Sequence, residues 1–248
     1  MTIASPVQDA SVKAELAPTG MLRVGLVEAP SAGLIFVSRA ADGALDGVTA
    51  DLSADLARQV GLPLAVTLFP NSGAAAAALE AAAIDVSFMP VDVARRQVID
   101  FGPGYYDLES TYLVSVGSGI TDVAQVDRPG LRVVAIDGTT TFRASARTLT
   151  RTQPLPVPSV AEAVARMRAG QADAIALSRD TLRPVVLQVP GSRIVAGGFQ
   201  QTQVAVAVPK GRPAALACVT AWLDEAKRTG IVRRIFDARG FRDDAVAH

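Results

Sequence analysis

The sequence predicts an α/β chain made of two doubly wound α/β lobes joined by a two-strand hinge. Three observations predict it. Strand, helix, strand, helix and strand alternate from about residue 22 to 89, which indicates a parallel sheet with right-handed crossovers. The same alternation returns between about 131 and 177. A long strand near 202–208 then leads into a tail of two helices.

Each element follows from its residues. Leu22–Val27 (LRVGLV) is an apolar run that reads as the first strand after a loose leader, 1–19. In Gly47–Val60, Val48, Leu52, Leu56 and Val60 recur every fourth residue and make one helix face, which Gly61 stops. Leu64–Phe69 is a strand closed by Pro70, and Ser72 is placed to cap an alanine-rich helix through Ala83. Asp85–Met89 is the next strand, and Val98–Phe101 a short one ending at the Gly102-Pro103-Gly104 break.

The second region reads as strands at Thr111–Val116, Leu131–Ile136, Leu155–Pro158, Ala172–Leu177 and Arg193–Val195. Helices are predicted from Thr139 to about Arg151, and from a Ser159 cap to Ala169 with Glu162 completing a capping box. Thr202–Val208 is a strand, and Pro213–Thr229 and Ile231–Ala238 are helices. The resulting lobes are 20–110 plus 203–248, and 111–200, with hinge strands near Ser110–Leu113 and Gln201–Gln203.

Composition excludes several function classes. Half of the 248 residues are hydrophobic, so disorder is not expected. Lysine plus arginine equals aspartate plus glutamate at 24 each, which leaves no field for nucleic acid or an anionic membrane. One cysteine, Cys218, rules out an internal disulfide. With a single histidine, His248, neither a closed zinc shell nor a Ser-His-Asp or Cys-His arrangement can be assembled. No cofactor or metal is expected. No apolar run approaches the roughly 18 residues of a membrane span. The N-terminus has no basic and apolar signal-peptide pattern, being interrupted by Asp9, Lys13 and Glu15.

The richest stretch is DVSFMPVDVARRQVIDFGPGYY, Asp85 to Tyr106. A strand runs into a polar loop carrying two arginines, and in open α/β sheets ligands bind outside the carboxyl ends of strands. This stretch resembles the solute-binding proteins of bacterial amino-acid-type ABC transporters, whose pattern is D-hydrophobic…T-x-x-R…DF-x-x-x-Y. Asp85, Asp92, Arg95, Asp100, Phe101 and Tyr105 match it, with Asp92 in place of the threonine. The resemblance extends over roughly 22–240 and includes the VPKG segment before the tail helices. It implies the periplasmic binding protein type II fold and a monomer that closes its lobes on a small carboxylate or amino acid. It also implies an ABC permease as partner and a periplasmic address. The N-terminal sequence leaves a cytoplasmic address open.

The resemblance directs attention to four places. The Arg95 guanidinium is a planar fork suited to a carboxylate, and the family uses the arginine here to hold a ligand α-carboxylate; Arg96 reads as solvated. In DGTTTF, Asp137 to Phe142, a helix opens at a strand end and its free N–H groups suit an anion. Gly138 allows close approach, and Thr139 and Thr140 add hydroxyls. Alone this is an ordinary threonine cap; with Arg95 it makes a two-sided carboxylate clamp. The acid that holds a ligand ammonium in the family falls on Ser178, so Asp180 or Glu28 must substitute, or the ligand lacks that ammonium, because burying one unpaired is costly. The loop Glu28–Phe36 has Pro30 and Ser31 where the family places a stacking aromatic; Phe36 is the candidate to replace it, with core packing as the equal alternative.

Met89 and Pro90 are the strand-end residues expected to line the pocket, with core packing as the ordinary alternative. Trp222 and Cys218 read as packing in the tail helix. Two other classes are open: a dehydratase-like enzyme on the same fold, with Glu28, Asp180 or Asp92 as its only candidate general acids, and a soluble ligand sensor.

Overall fold

The computed structural model describes residues 10–28, 35–40 and 42–247. In chain order its elements are α1 (Ala10–Leu16), β1 (Leu22–Val27), β2 (Ser38–Arg39), β3 (Leu45–Asp46), α2 (Val48–Val60), β4 (Leu64–Phe69), α3 (Ser72–Glu80), β5 (Val86–Pro90) and β6 (Ile99–Val114). There follow β7 (Val133–Ile136), α4 (Thr140–Thr148), β8 (Leu155–Val157), α5 (Val160–Arg168), β9 (Ala174–Ser178), α6 (Arg179–Gln188), β10 (Arg193–Ile194), β11 (Gln200–Pro209), α7 (Pro213–Arg228) and α8 (Ile231–Ala238). The chain divides into two compact units: residues up to Asp107 together with those from Gln203 onward, and Leu108–Thr202.

In the first unit the strand order is β4-β1-β5-β11-β6. β1 pairs in parallel with β4 and β5, and β11 returns antiparallel to β5. Leu22, Val24, Leu26, Leu52, Leu56 and Phe88 are buried between the sheet and its helices. In the second unit β7 pairs in parallel with β8 and β9, while β6 and β10 add antiparallel pairings. Both faces of β7 and β9 are covered, one by a cluster around Val134, Ile175 and Val164, the other by one around Val133, Ala174 and Tyr112. That is why these strands are continuous apolar runs rather than alternating ones.

The two units repeat one module. β1-α2-β4-α3-β5 and β7-α4-β8-α5-β9 have the same connectivity and the same strand order, second-first-third. An arginine–aspartate clamp repeats with it. In the first unit Arg23 donates its backbone N–H and Nε to Asp85 Oδ2 and its Nη2 to Oδ1. In the second, Arg132 makes the same three bonds to Asp173. Each arginine also reaches the turn before its aspartate, at the Ala82 carbonyl or the Gly170 carbonyl. Both turn residues are left-handed, with φ of 51° at Ala82 and 66° at Gly170.

Several expectations are corrected. Part of the leader is ordered: Ala10–Leu16 is a helix packed on α7, with Glu15 accepting the N–H groups of Ala214 and Ala215 at the start of that helix. The Gly-Pro-Gly segment does not end a strand, because β6 runs through it. A Cβ at Gly102 would lie 2.8 Å from Val206, and one at Gly104 would meet the Gln203 side chain, so these glycines permit close approach of β11. Asn71, not Ser72, caps α3, accepting the N–H groups of Gly73 and Ala74 at 2.9 Å each. Ser159 caps α5 as expected, but Glu162 turns to Arg166 instead of closing a capping box. Helix α6 was not anticipated, since Pro184 lies inside it. Among the described residues no helix is long and apolar enough to cross a membrane. Among them, too, no group of three or more His, Cys, Asp and Glu is placed to hold a metal ion.

Candidate functional site

The first unit offers Arg95. β5 is buried along its whole length and ends at Pro90. Asp92 then accepts the N–H groups of Ala94 (2.8 Å) and Arg95 (3.3 Å) and so winds a short 3-10 turn, Arg95–Gln97. This turns the Arg95 side chain inward, where it is only 5% exposed. Its Nη1 donates to the Pro90 carbonyl at 2.9 Å and its Nη2 to Ser72 Oγ at 2.8 Å. The guanidinium is thereby aimed from the carboxyl end of β5 and the amino end of α3. Arg96 is solvent-facing, its guanidinium 5.6 Å from the centre of the Phe101 ring.

Other expected residues of this unit take humbler places. Met89 is fully buried opposite Ala205 of β11. Pro90 is buried and acts through its carbonyl on Arg95. Phe36 is buried in the core. Glu28 is exposed at the carboxyl end of β1, its N–H bonded to the Phe69 carbonyl at 2.8 Å. Pro30, Ser31 and His248 lie outside the described residues.

The second unit brings two features to the carboxyl ends of adjacent strands. After β7, Gly138 turns with φ of 69°, a conformation that favours glycine. Thr139 caps α4: its hydroxyl accepts the Phe142 N–H at 3.0 Å and donates to the Ile136 carbonyl at 2.7 Å. That hydroxyl is therefore spent on the cap. The N–H groups of Thr140 and Thr141, in the first turn, have no acceptor within the helix and keep the anion-binding character of a helix start. The hydroxyl of buried Thr141 lies 3.0 Å from Ser110 Oγ and anchors the helix to β6. Arg143, which the sequence reading passed over, donates to the Gly138 carbonyl at 3.2 Å and places a guanidinium beside this turn. Its signal was available: an arginine one helical turn after Thr139.

After β9, Ser178 occupies the cap position of α6 and bonds Thr181 Oγ1 at 2.8 Å. Asp180 sits in the first turn of α6 and is 4% exposed. Its Oδ2 is buried with no hydrogen-bond partner. Burial pushes its carboxyl up from the ordinary carboxylate range, against the opposing pull of the Ser178 hydroxyl, the first-turn N–H groups and Arg183.

The same tetrad thus follows the third strand of each module, Asp92-Val-Ala-Arg95 and Asp180-Thr-Leu-Arg183. In the first unit the arginine is buried and the aspartate half-exposed; in the second the aspartate is buried and the arginine exposed. One module presents a cation and the other an acid.

The family model described as bacterial extracellular solute-binding proteins, family 3, matches residues 27–238. This chain belongs to that family. The glutamine-binding protein GlnH of an ABC transporter from Bacillus subtilis (strain 168) is 24% identical over 151 residues, 61% of this chain. The match spans 55% of that relative, about half its length.

Solved structures agree on the fold, that of the type II periplasmic binding proteins. A mutant of ArgBP from T. maritima superposes with a TM-score of 0.79 at 24% identity, covering 92% of this chain and 98% of that one. The ancestral amino acid-binding protein AncCDT-1, a precursor of cyclohexadienyl dehydratase, gives 0.77 at 24% identity, covering 90% and 97%. A binding component of an ABC transporter from Wolinella succinogenes, complexed with lysine, gives 0.77 at 22% identity, covering 89% and 95%.

Proposed function

We propose that this family 3 solute-binding protein captures a small amino acid and hands it to an ABC-type permease, from a periplasmic or extracellular position. The observation that carries the reading is Asp180: a buried carboxyl with one oxygen unpartnered, beside a helix start suited to a carboxylate. A buried acid of this kind stabilises an ammonium group that enters next to it, and the ammonium restores the acid to its charged form. Ser178 stands where the resembled family has its acid, and Asp180 takes over that role from two residues further on. Within the second unit the first turn of α4 is the proposed partner of the ligand carboxylate; within the first unit the Arg95 fork is the separate candidate for a bidentate charge-assisted contact. The relatives named for glutamine, arginine and lysine point to the same ligand class.

The test is a thermal-shift screen of amino acids against their α-hydroxy-acid counterparts, which keep the carboxylate and lose the ammonium. A ligand that binds only the folded chain raises its melting temperature by mass action. The expected result is a shift with one or a few amino acids, lost in Arg95→Ala. In Asp180→Asn the preference for the amine over the hydroxy acid should fall. If hydroxy acids shift the natural chain as well as amino acids do, the role given to Asp180 is wrong. If the bound compound is converted to product on standing, the protein is an enzyme and the transport reading falls.

A further inference from the structure

Away from the strand ends, the first unit holds a cavity between α2, α7 and the start of α8, with a volume of about 470 Å³. That lies within the range of small-molecule pockets. Its floor is apolar and fixed: Val60, Cys218, Trp222 and Ala226 are all buried. Its charged lining residues are Asp55 and Glu225, and no lysine, arginine or histidine lines it among the described residues. Asp55 is itself only 7% exposed. Its Oδ2 accepts the Trp222 indole N–H at 2.9 Å, which locks the ring against the carboxylate. Arg58 and Arg228, which pair with the two acids, are both exposed to solvent outside the cavity.

We propose that this cavity binds a small organic amine with an aromatic or hydrocarbon body. The apolar floor takes the body, and the ammonium lies against the Asp55 carboxylate, beside the indole that already donates to it. An ammonium gains a charge-assisted bond to the carboxylate, whereas a carboxylate ligand would meet two acids. A carboxylate has lone pairs beyond those used by one indole and one arginine, so Asp55 can accept a further donor. This site does not depend on the amino acid proposed above and shares no residue with it.

Trp222 is the only tryptophan of the chain, so intrinsic fluorescence reports on this cavity alone. The experiment titrates the full chain with benzylamine, benzyl alcohol and benzoate. A saturable fluorescence change is expected with benzylamine, about tenfold weaker with benzyl alcohol for the lost charged contact, and absent with benzoate. Ala221→Phe, which fills the cavity from an exposed wall, should abolish the change. Arg95→Ala should leave it intact. Equal response to amine and alcohol, no saturable response, or loss in Arg95→Ala would overturn the proposal. Should Ala221→Phe not fold, the amine-against-alcohol comparison on the natural chain decides alone.

Discussion

Asp85→Asn and Asp173→Asn remove the same charge from the same clamp in two copies of one module, so their difference isolates burial. Asp85 is fully buried and receives three bonds from Arg23, two of them at 2.8 and 2.7 Å, and one from Arg212 at 3.0 Å. The two arginine side chains are themselves only 26% and 18% exposed. Neutralising Asp85 leaves both guanidinium groups largely desolvated and unpaired, a loss of about 3–5 kcal/mol for the first unit. Asp173 and Arg132 keep almost the same bond lengths but are 25% and 47% exposed, so water screens the pair and re-solvates the arginine. The expected cost there is about 1 kcal/mol or less.

Urea denaturation measures both. Trp222 fluorescence follows the first unit, and circular dichroism follows the whole chain. Equal costs for the two substitutions, or a cost at Asp85 no greater than at Asp173, would refute the argument that burial rather than bonding geometry sets the strength of these clamps.

Three further outcomes are expected. Tyr105 has a fully buried hydroxyl without a hydrogen-bond partner, packed edge-on against Phe88 and Phe236. Tyr105→Phe should therefore leave stability unchanged or raise it by about 1 kcal/mol in urea melts, and a loss above that size would mean the hydroxyl has a partner. Ala82→Gly should raise stability by about 0.5 kcal/mol, because relief of a left-handed alanine exceeds the added chain entropy, and a thermal melt that falls would contradict it. Asp127 works against partial desolvation but accepts the Thr150 hydroxyl and the N–H groups of Thr150, Arg151 and Thr152, which together hold its pKa down to about 2. A depressed carboxyl contributes stability above the ordinary carboxylate range and loses it as pH falls toward 2. An acid titration of Asp127→Asn should thus show a smaller drop over that interval than the natural chain.

Much of the fold was legible because the signals were local. The spacing of Val48, Leu52, Leu56 and Val60 announced α2, and Gly61 stops it in the left-handed conformation. The apolar runs of β1, β4, β5, β7 and β9 appeared as strands within a residue or two of their ends. What failed involved partners distant in sequence. Gly102 and Gly104 read as a break but answer to β11, about a hundred residues on. Ser72 read as a cap, yet its hydroxyl serves Arg95 while Asn71 does the capping. The leader helix forms because α7 offers it a face and two unsatisfied N–H groups at its start.

The candidate site divides along the same line. The sequence by itself determined the residue types and their order: an arginine after one third strand, a Gly-Thr-Thr helix start after a first strand, and an aspartate close to where the family has its acid. It also held the repeated D-x-x-R tetrad, in which the two copies are chemically interchangeable. Only the tertiary structure decided that Arg95 turns inward in one unit and Asp180 in the other. The reason is physical. Which end of a tetrad is buried depends on what the rest of the unit offers it: the Pro90 carbonyl and Ser72 hydroxyl for a guanidinium, and the first-turn N–H groups of α6 for a carboxyl. Those partners come together only when strand and helix ends meet.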